Sequence, residues 1–145
     1  MIKIHYPDKK PSVKIDAGKE LIFCIIRKTW LMLTPEEWVR QNFLLYLIDV
    51  LGFSPSLIAV EKQIILSEVK KRFDIVVYDR EAHPFIVVEC KEMNELLSKK
   101  VLDQALRYNA VLQAKYIMLT NGIDTIGFEN SQQGFIETET IKMYK

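Results

Sequence analysis

The hydrophobic positions of this chain fall into runs of strand length and two stripes of helical spacing. Over residues 1–33, the runs Val13-Lys14-Ile15 and Leu21-Ile22-Phe23-Cys24-Ile25-Ile26 alternate with turn-forming clusters at Pro7-Asp8-Lys9-Lys10-Pro11 and Asp16-Ala17-Gly18-Lys19. They predict a small β extension ahead of the main domain. Thr34-Pro35-Glu36-Glu37 predicts a helix start, with Thr34 as N-cap, Pro35 at the first helical position and Glu37 as the acid of a capping box. The helix is expected to run to about Leu51 and stop near Gly52, with Glu37, Gln41, Leu44 and Ile48 on one face. A strand over 58–66, a turn over 67–71 and a pair of apolar strands follow. Val101, Ala105, Tyr108 and Leu112 then form the stripe of a helix over 94–114. Tyr116-Ile117-Met118-Leu119-Thr120 predicts a strand, Asn121-Gly122 a tight turn into 123–128, and the tail 134–144 an edge strand.

The order helix, three strands, helix, strand predicts an α/β (α+β) fold. Three antiparallel strands and a helical crossover to a further strand make a mixed central β-sheet flanked by helices. A chain of 145 residues is expected to form a single domain, with the β extension at 1–33 and the core at 34–128.

The paired apolar strands carry acids within otherwise buried patterns. One reads Arg72-Phe73-Asp74-Ile75-Val76-Val77-Tyr78-Asp79 and the other Phe85-Ile86-Val87-Val88-Glu89-Cys90-Lys91. The link Arg80-Glu81-Ala82-His83, followed by Pro84, predicts a hairpin in which Asp79 faces Pro84 and Asp74 faces Glu89. Two carboxylates placed so repel unless a cation lies between them. The two-residue period of a strand puts Lys91 on the face of Glu89, with Cys90 on the other. An Asp, a Glu and a Lys on one sheet face outline a divalent-metal site with a cationic helper.

Composition adds little and excludes some classes. Hydrophobic residues make up 49% and charged residues 27%, and the net charge of +1 gives no global attraction to nucleic acid. Lys70-Lys71-Arg72 and Lys99-Lys100 are the local basic runs. Cys24 and Cys90 imply no disulfide framework, and His5 and His83 stand apart, so no zinc-ligand spacing is present. The N-terminal segment lacks the apolar region of a signal peptide, and no window reaches the roughly 18 apolar residues of a membrane span. A cytoplasmic location is expected.

Mg²⁺ takes oxygen ligands, usually one or two carboxylates. Asp74 and Glu89 supply the carboxylates and the backbone carbonyl of Cys90 a further oxygen. Lys91 is placed to orient an attacking water or to stabilise charge on a phosphate. Glu37 adds an acid from the first helix, its plain alternative being the capping box, and Arg40 has an i,i+4 partner in Glu36. Gln104, a turn before Tyr108, is a candidate to orient a bound water or phosphate, and Glu61 and Gln63 read as solvent-facing strand residues.

Together these residues resemble the PD-(D/E)XK nuclease superfamily, and among its members the N-terminal nuclease domain of type I restriction enzyme restriction subunits. The resemblance covers Leu33 to Gly122 and rests on five segments in order. These are Leu33-Thr34-Pro35-Glu36-Glu37-Trp38-Val39-Arg40-Gln41, Arg72-Phe73-Asp74-Ile75-Val76-Val77-Tyr78, Val88-Glu89-Cys90-Lys91, Gln104-Ala105-Leu106-Arg107-Tyr108 and Leu119-Thr120-Asn121-Gly122. It implies a restriction-endonuclease-like core and a Mg²⁺- or Mn²⁺-dependent phosphodiesterase. Asp74 and Glu89 would be metal ligands, Lys91 the catalytic lysine, Glu37 the first-helix acid and Gln104 the glutamine after the acid-x-Lys motif. Phe73 stands where the superfamily has Pro. The chain has no Gly-x-x-x-x-Gly-Lys-Ser/Thr phosphate loop and no motor domains, so a stand-alone module is expected.

The leading expectation is a Mg²⁺- or Mn²⁺-dependent nuclease, an endonuclease, that hydrolyses DNA phosphodiester bonds, with a homodimer and a motor or specificity partner protein as further expectations. A non-catalytic DNA- or protein-binding module that keeps the fold is the alternative. The third reading is a structural subunit whose acids form an ion-paired hairpin.

Overall fold

The computed structural model describes residues 1–143; Tyr144, within the predicted tail strand, lies outside them. Strands β1 (Val13–Asp16), β2 (Lys19–Cys24) and β3 (Thr29–Met32) form a separate antiparallel meander, the expected β extension. Ala17 and Gly18 turn β1 into β2 with φ of +50° and +76°, the paired positive values of a two-residue hairpin turn. Helix α1 (Pro35–Leu45) follows and continues as a π-helical turn, Tyr46–Val50. The helical path thus ends where predicted, before Gly52 at φ +80°.

Six strands build the central sheet: β4 (Ile58–Leu66), β5 (Val69–Tyr78), β6 (Pro84–Cys90), β7 (Tyr116–Thr120), β8 (Thr125–Ser131) and β9 (Gly134–Thr138). Their spatial order is their chain order. Every neighbouring pair is antiparallel except β6–β7, which is parallel and is joined through helix α2 (Lys99–Leu112). This is the expected mixed sheet with helices. Val39, Phe43, Leu44 and Leu47 cover one face against Ile75, Val77, Ile86, Val88 and Met118. Ala105 and Tyr108, with Val101 and Leu112, cover the other against Phe73, Val76, Val87, Ile117 and Leu119. Burying each large apolar side chain stabilises by about 1.5–3 kcal/mol, and β5 to β7 are apolar on both faces because both are covered. The N-terminus joins this body: the Ile2 amide donates to the Thr125 carbonyl, 2.8 Å. Its side chain lies over Gly127, where a Cβ would come within 2.4 Å of Ile2 Cδ1. No described helix is long and apolar enough to cross a membrane.

Five boundaries differ from expectation. The tail strand, expected over 134–144, is β9 and ends at Thr138. The predicted turn at 67–71 is only Ser67-Glu68, at φ +48° and +68°, so Val69 to Lys71 are strand. A register shift at Val77/Tyr78 pairs Tyr78, not Asp79, with Pro84. Asp79 instead organises the link, its Oδ1 accepting from the amides of Glu81 and His83. Helix α2 begins at Lys99, not at 94, because Ser98 caps it through Val101 N–H and Asn121 Nδ2 bonds the Glu95 carbonyl. The Asn121-Gly122 turn extends to Asp124, with Asn121 Oδ1 accepting from the amides of Ile123 and Asp124.

Candidate active site

The first turn of α1, the middle of β4 and β5 and the end of β6 bring their charged residues to one place. The β5–β6 ladder begins at Ile75 opposite Val88; one residue beyond it Asp74 reaches β6 through its side chain, whose Oδ2 accepts from the Cys90 amide next to Glu89. Val60 pairs with Ile75 and Lys62 with Phe73, which sets Glu61 opposite Asp74 on the other side. Glu61 has φ +51°, a left-handed value that non-glycine residues rarely take. At this level both strands change faces. Ile58 and Val60 pack on the α1 side but Ile64 and Leu66 on the α2 side, and likewise Ile75 and Val77 against Phe73. Asp74 therefore lies where the alternation reverses.

Thr34 caps α1 by accepting from the Glu37 amide, 3.0 Å. The Glu37 carboxylate does not complete the capping box; it accepts from Arg40 Nη1 at 2.5 Å and from Gln41 Nε2 at 3.0 Å. Arg40 Nη2 donates to Asp74 Oδ1, also at 2.5 Å. One guanidinium thus bridges Glu37 and Asp74, while Glu36 Oε1 and Glu61 Oε1 stand 3.6 Å from it on the outer side. Glu61 is held by Arg27 and lies below the usual carboxylate range, mainly through that hydrogen bond. Burial works to strip the charge from Arg40, but Asp74 and Glu37 outweigh it and the guanidinium is held protonated.

Asp74 Oδ2 accepts from the Cys90 amide at 2.8 Å, so both of its oxygens are engaged. Glu89 is 5% exposed; its Oε2 accepts from Lys71 Nζ at 3.3 Å, while its Oε1 has no partner. Burial first, and then the charge of Asp74, push Glu89 up to about 7, with Lys71 opposing. Lys71 also lies 5.8 Å over the ring of Tyr108 on α2. Lys91 follows β6, its amide bonded to the Thr120 carbonyl at 2.8 Å. Its charge lowers Glu36, which burial and Asp74 together raise.

The structure thus brings together Glu37, Asp74, Cys90 and Glu89, with Lys91 one residue past the end of β6. Gln104 sits exposed on α2, and none of the hydrogen bonds of this cluster involves it. Gln63 is exposed, whereas Glu61 faces the cluster rather than solvent alone. Arg40 and Lys71 are the residues that sequence reasoning missed. Arg40 lies three residues after Glu37 on the same face, a spacing that could have signalled it. Lys71 was hidden by the misplaced turn.

Among the described residues, no group of three or more His, Cys, Asp or Glu side chains is set to hold a metal ion. The donor chemistry nevertheless fits a divalent cation in one respect. A buried carboxylate oxygen of Glu89 lacks a partner, beside a second carboxylate whose charge it must tolerate.

A capped helix laid against an acidic hairpin, with a helical crossover to a parallel strand, defines a nuclease-like α+β domain of the PD-(D/E)XK kind. The chain belongs to the family described as type I restriction enzyme R protein N terminus (HSDR_N), which matches residues 35–142. That match opens on the first residue of α1 and leaves β1–β3 outside it. Among solved structures the chain is similar to a DUF820 protein from Anabaena variabilis, described as a candidate nuclease. The two share 11% identity with a TM-score of 0.47, over 92% of this chain and 80% of that one. No curated protein matches.

Proposed function

We propose that this domain is a metal-dependent nuclease that hydrolyses DNA phosphodiester bonds. The observation that carries the reading is Asp74, bonded to the Cys90 amide, beside a buried Glu89 that has one oxygen unpartnered, two residues before Lys91, in a chain of this family. Asp74, Glu89, the Cys90 carbonyl and, from the helix, Glu37 would hold Mg²⁺ or Mn²⁺. When bound, such an ion supplies Lewis-acid stabilisation of the phosphoryl oxygens and a more acidic water. Lys91 donates to a non-bridging phosphate oxygen or orients the attacking water, its fixed charge matching the charge that grows at phosphorus. Gln104, exposed on α2, would contact the phosphate backbone of bound DNA. Cutting of both strands would be served by a homodimer, and a motor or specificity partner would deliver the DNA.

A second reading, a module that binds DNA or protein without cutting, is favoured by one observation: both Asp74 oxygens already have partners. Cleavage of single-stranded, duplex, nicked and branched DNA in Mg²⁺ and Mn²⁺ decides between them. The nuclease reading expects cleavage that falls by about 10²–10⁴-fold in Lys91→Ala and Asp74→Asn. Folded, metal-binding wild type that leaves every substrate intact would favour the second.

A further inference from the structure

Arg40 occupies a place that the proposed function assigns to something else. Its two terminal nitrogens each lie 2.5 Å from a carboxylate oxygen, one on Glu37 and one on Asp74. Those are two of the carboxylates that the nuclease reading gives to the metal. A carboxylate oxygen has lone pairs for both a cation and a hydrogen bond, but a divalent cation set on Asp74 and Glu37 would lie close to the guanidinium, and at such separations two cations repel strongly in a site shielded from water. The side chain is 7% exposed, and its Nε has no partner, so the fork is fixed by its two terminal contacts alone. A second seat lies alongside: Glu36 and Glu61, each 3.6 Å away and both more open to solvent.

We propose that Arg40 is a place-holder cation. It positions Glu37 and Asp74 before metal arrives, and metal loading moves its guanidinium outward onto Glu36 and Glu61. The inference rests on the nuclease reading for the identity of the metal ligands. Arg40 is thus a positioning residue that sets metal affinity: the ion must displace it, so binding is weaker than the carboxylates alone would give. The fork matters as much as the charge. A lysine ammonium is a point charge and does not bridge two carboxylates in this planar geometry.

The test is Mn²⁺ binding to the full chain, read from the loss of the free-ion electron paramagnetic resonance signal. Wild type is compared with Arg40→Gln and Arg40→Lys, each verified as folded by circular dichroism. Arg40→Gln is expected to bind at least about tenfold more tightly. Arg40→Lys, which keeps the charge and loses the bridge, is expected to bind several-fold more tightly. Adding Asp74→Asn to either should abolish the gain. Should Arg40→Gln fail to fold, Arg40→Lys carries the test. Unchanged or weaker binding in Arg40→Gln, or Arg40→Lys that matches wild type, overturns the place-holder and leaves the metal site standing. Absence of Mn²⁺ binding in every folded variant overturns the nuclease reading itself, and the inference with it.

Discussion

Glu61 and Asp74 stand opposite each other at the level where β4 and β5 exchange their buried faces. On β4 the exchange coincides with the left-handed backbone of Glu61, at φ +51°. That conformation costs an L-residue roughly 1–2 kcal/mol and glycine almost nothing. Glu61→Gly is therefore expected to be more stable than Glu61→Ala by about 1 kcal/mol, the reverse of the usual order in a strand. Urea denaturation of the two variants measures it directly, and alanine proving the more stable would remove the strain argument.

Glu89 gives the metal-free protein a definite pH dependence. Its folded value, about 7, lies above the ordinary 4.5 because burial and Asp74 disfavour the charge. A carboxyl raised in this way binds its proton more tightly in the folded state. Its contribution is complete below about pH 4.5 and is lost as pH rises through 7. The loss is of order 3 kcal/mol at most. In the presence of a chelator, wild type should lose stability relative to Glu89→Gln between pH 5 and 8. A difference that stays flat over this range would contradict it.

Lys71 opposes that shift through its bond to Glu89 Oε2. Lys71→Met should raise the Glu89 titration further, as followed by carbon NMR of the side-chain carboxyl. A downward move would mean that Lys71 is not its counter-charge.

Gly127 leaves the space that Ile2 fills. A methyl group there forces the Ile2 side chain aside, at about 1–3 kcal/mol. Gly127→Ala should lower the melting temperature, and its cost should shrink when Ile2→Ala is already present. Full additivity of the two changes would show that they do not touch.

Gln104 is exposed and outside the cluster's hydrogen bonds. Gln104→Ala should leave stability within about 0.5 kcal/mol and Mn²⁺ affinity unchanged. If Gln104 meets phosphate as proposed, only DNA affinity falls.

What the sequence made legible follows from how local each determinant is. The Thr34-Pro35 helix start, the strand Ile58–Leu66 and the hairpin of β5 with β6 depend on neighbouring residues or a two-residue period, and all three appear in the structure. The turn after β4 was expected over 67–71, but its tightness was not legible, because neither Ser67 nor Glu68 is a residue that ordinarily takes positive φ. The start of α2 was placed too early because Asn94 to Leu97 suit a helix. What keeps them out is a distant partner, Asn121. Arg40 hid its role for a related reason: Glu36 offered it a sufficient local partner, whereas its closest contacts are Glu37 on the same helix and Asp74 on β5. The face exchange at Glu61 and Asp74 is invisible to a reading that assumes unbroken alternation.

Because the spatial order of the sheet is its chain order, most of its pairings join adjacent hairpins, and β6 against β7 is the exception, bridged by residues 91–115. Short loops close at lower entropic cost than long ones, so the β5–β6 hairpin is expected to assemble before the crossover is complete. Asp74 and Glu89 then meet early, without help from the rest of the site. Their mutual repulsion acts as a brake on the folding rate itself. Asp74→Asn should speed refolding, and changes along the β6–β7 seam should mainly speed unfolding.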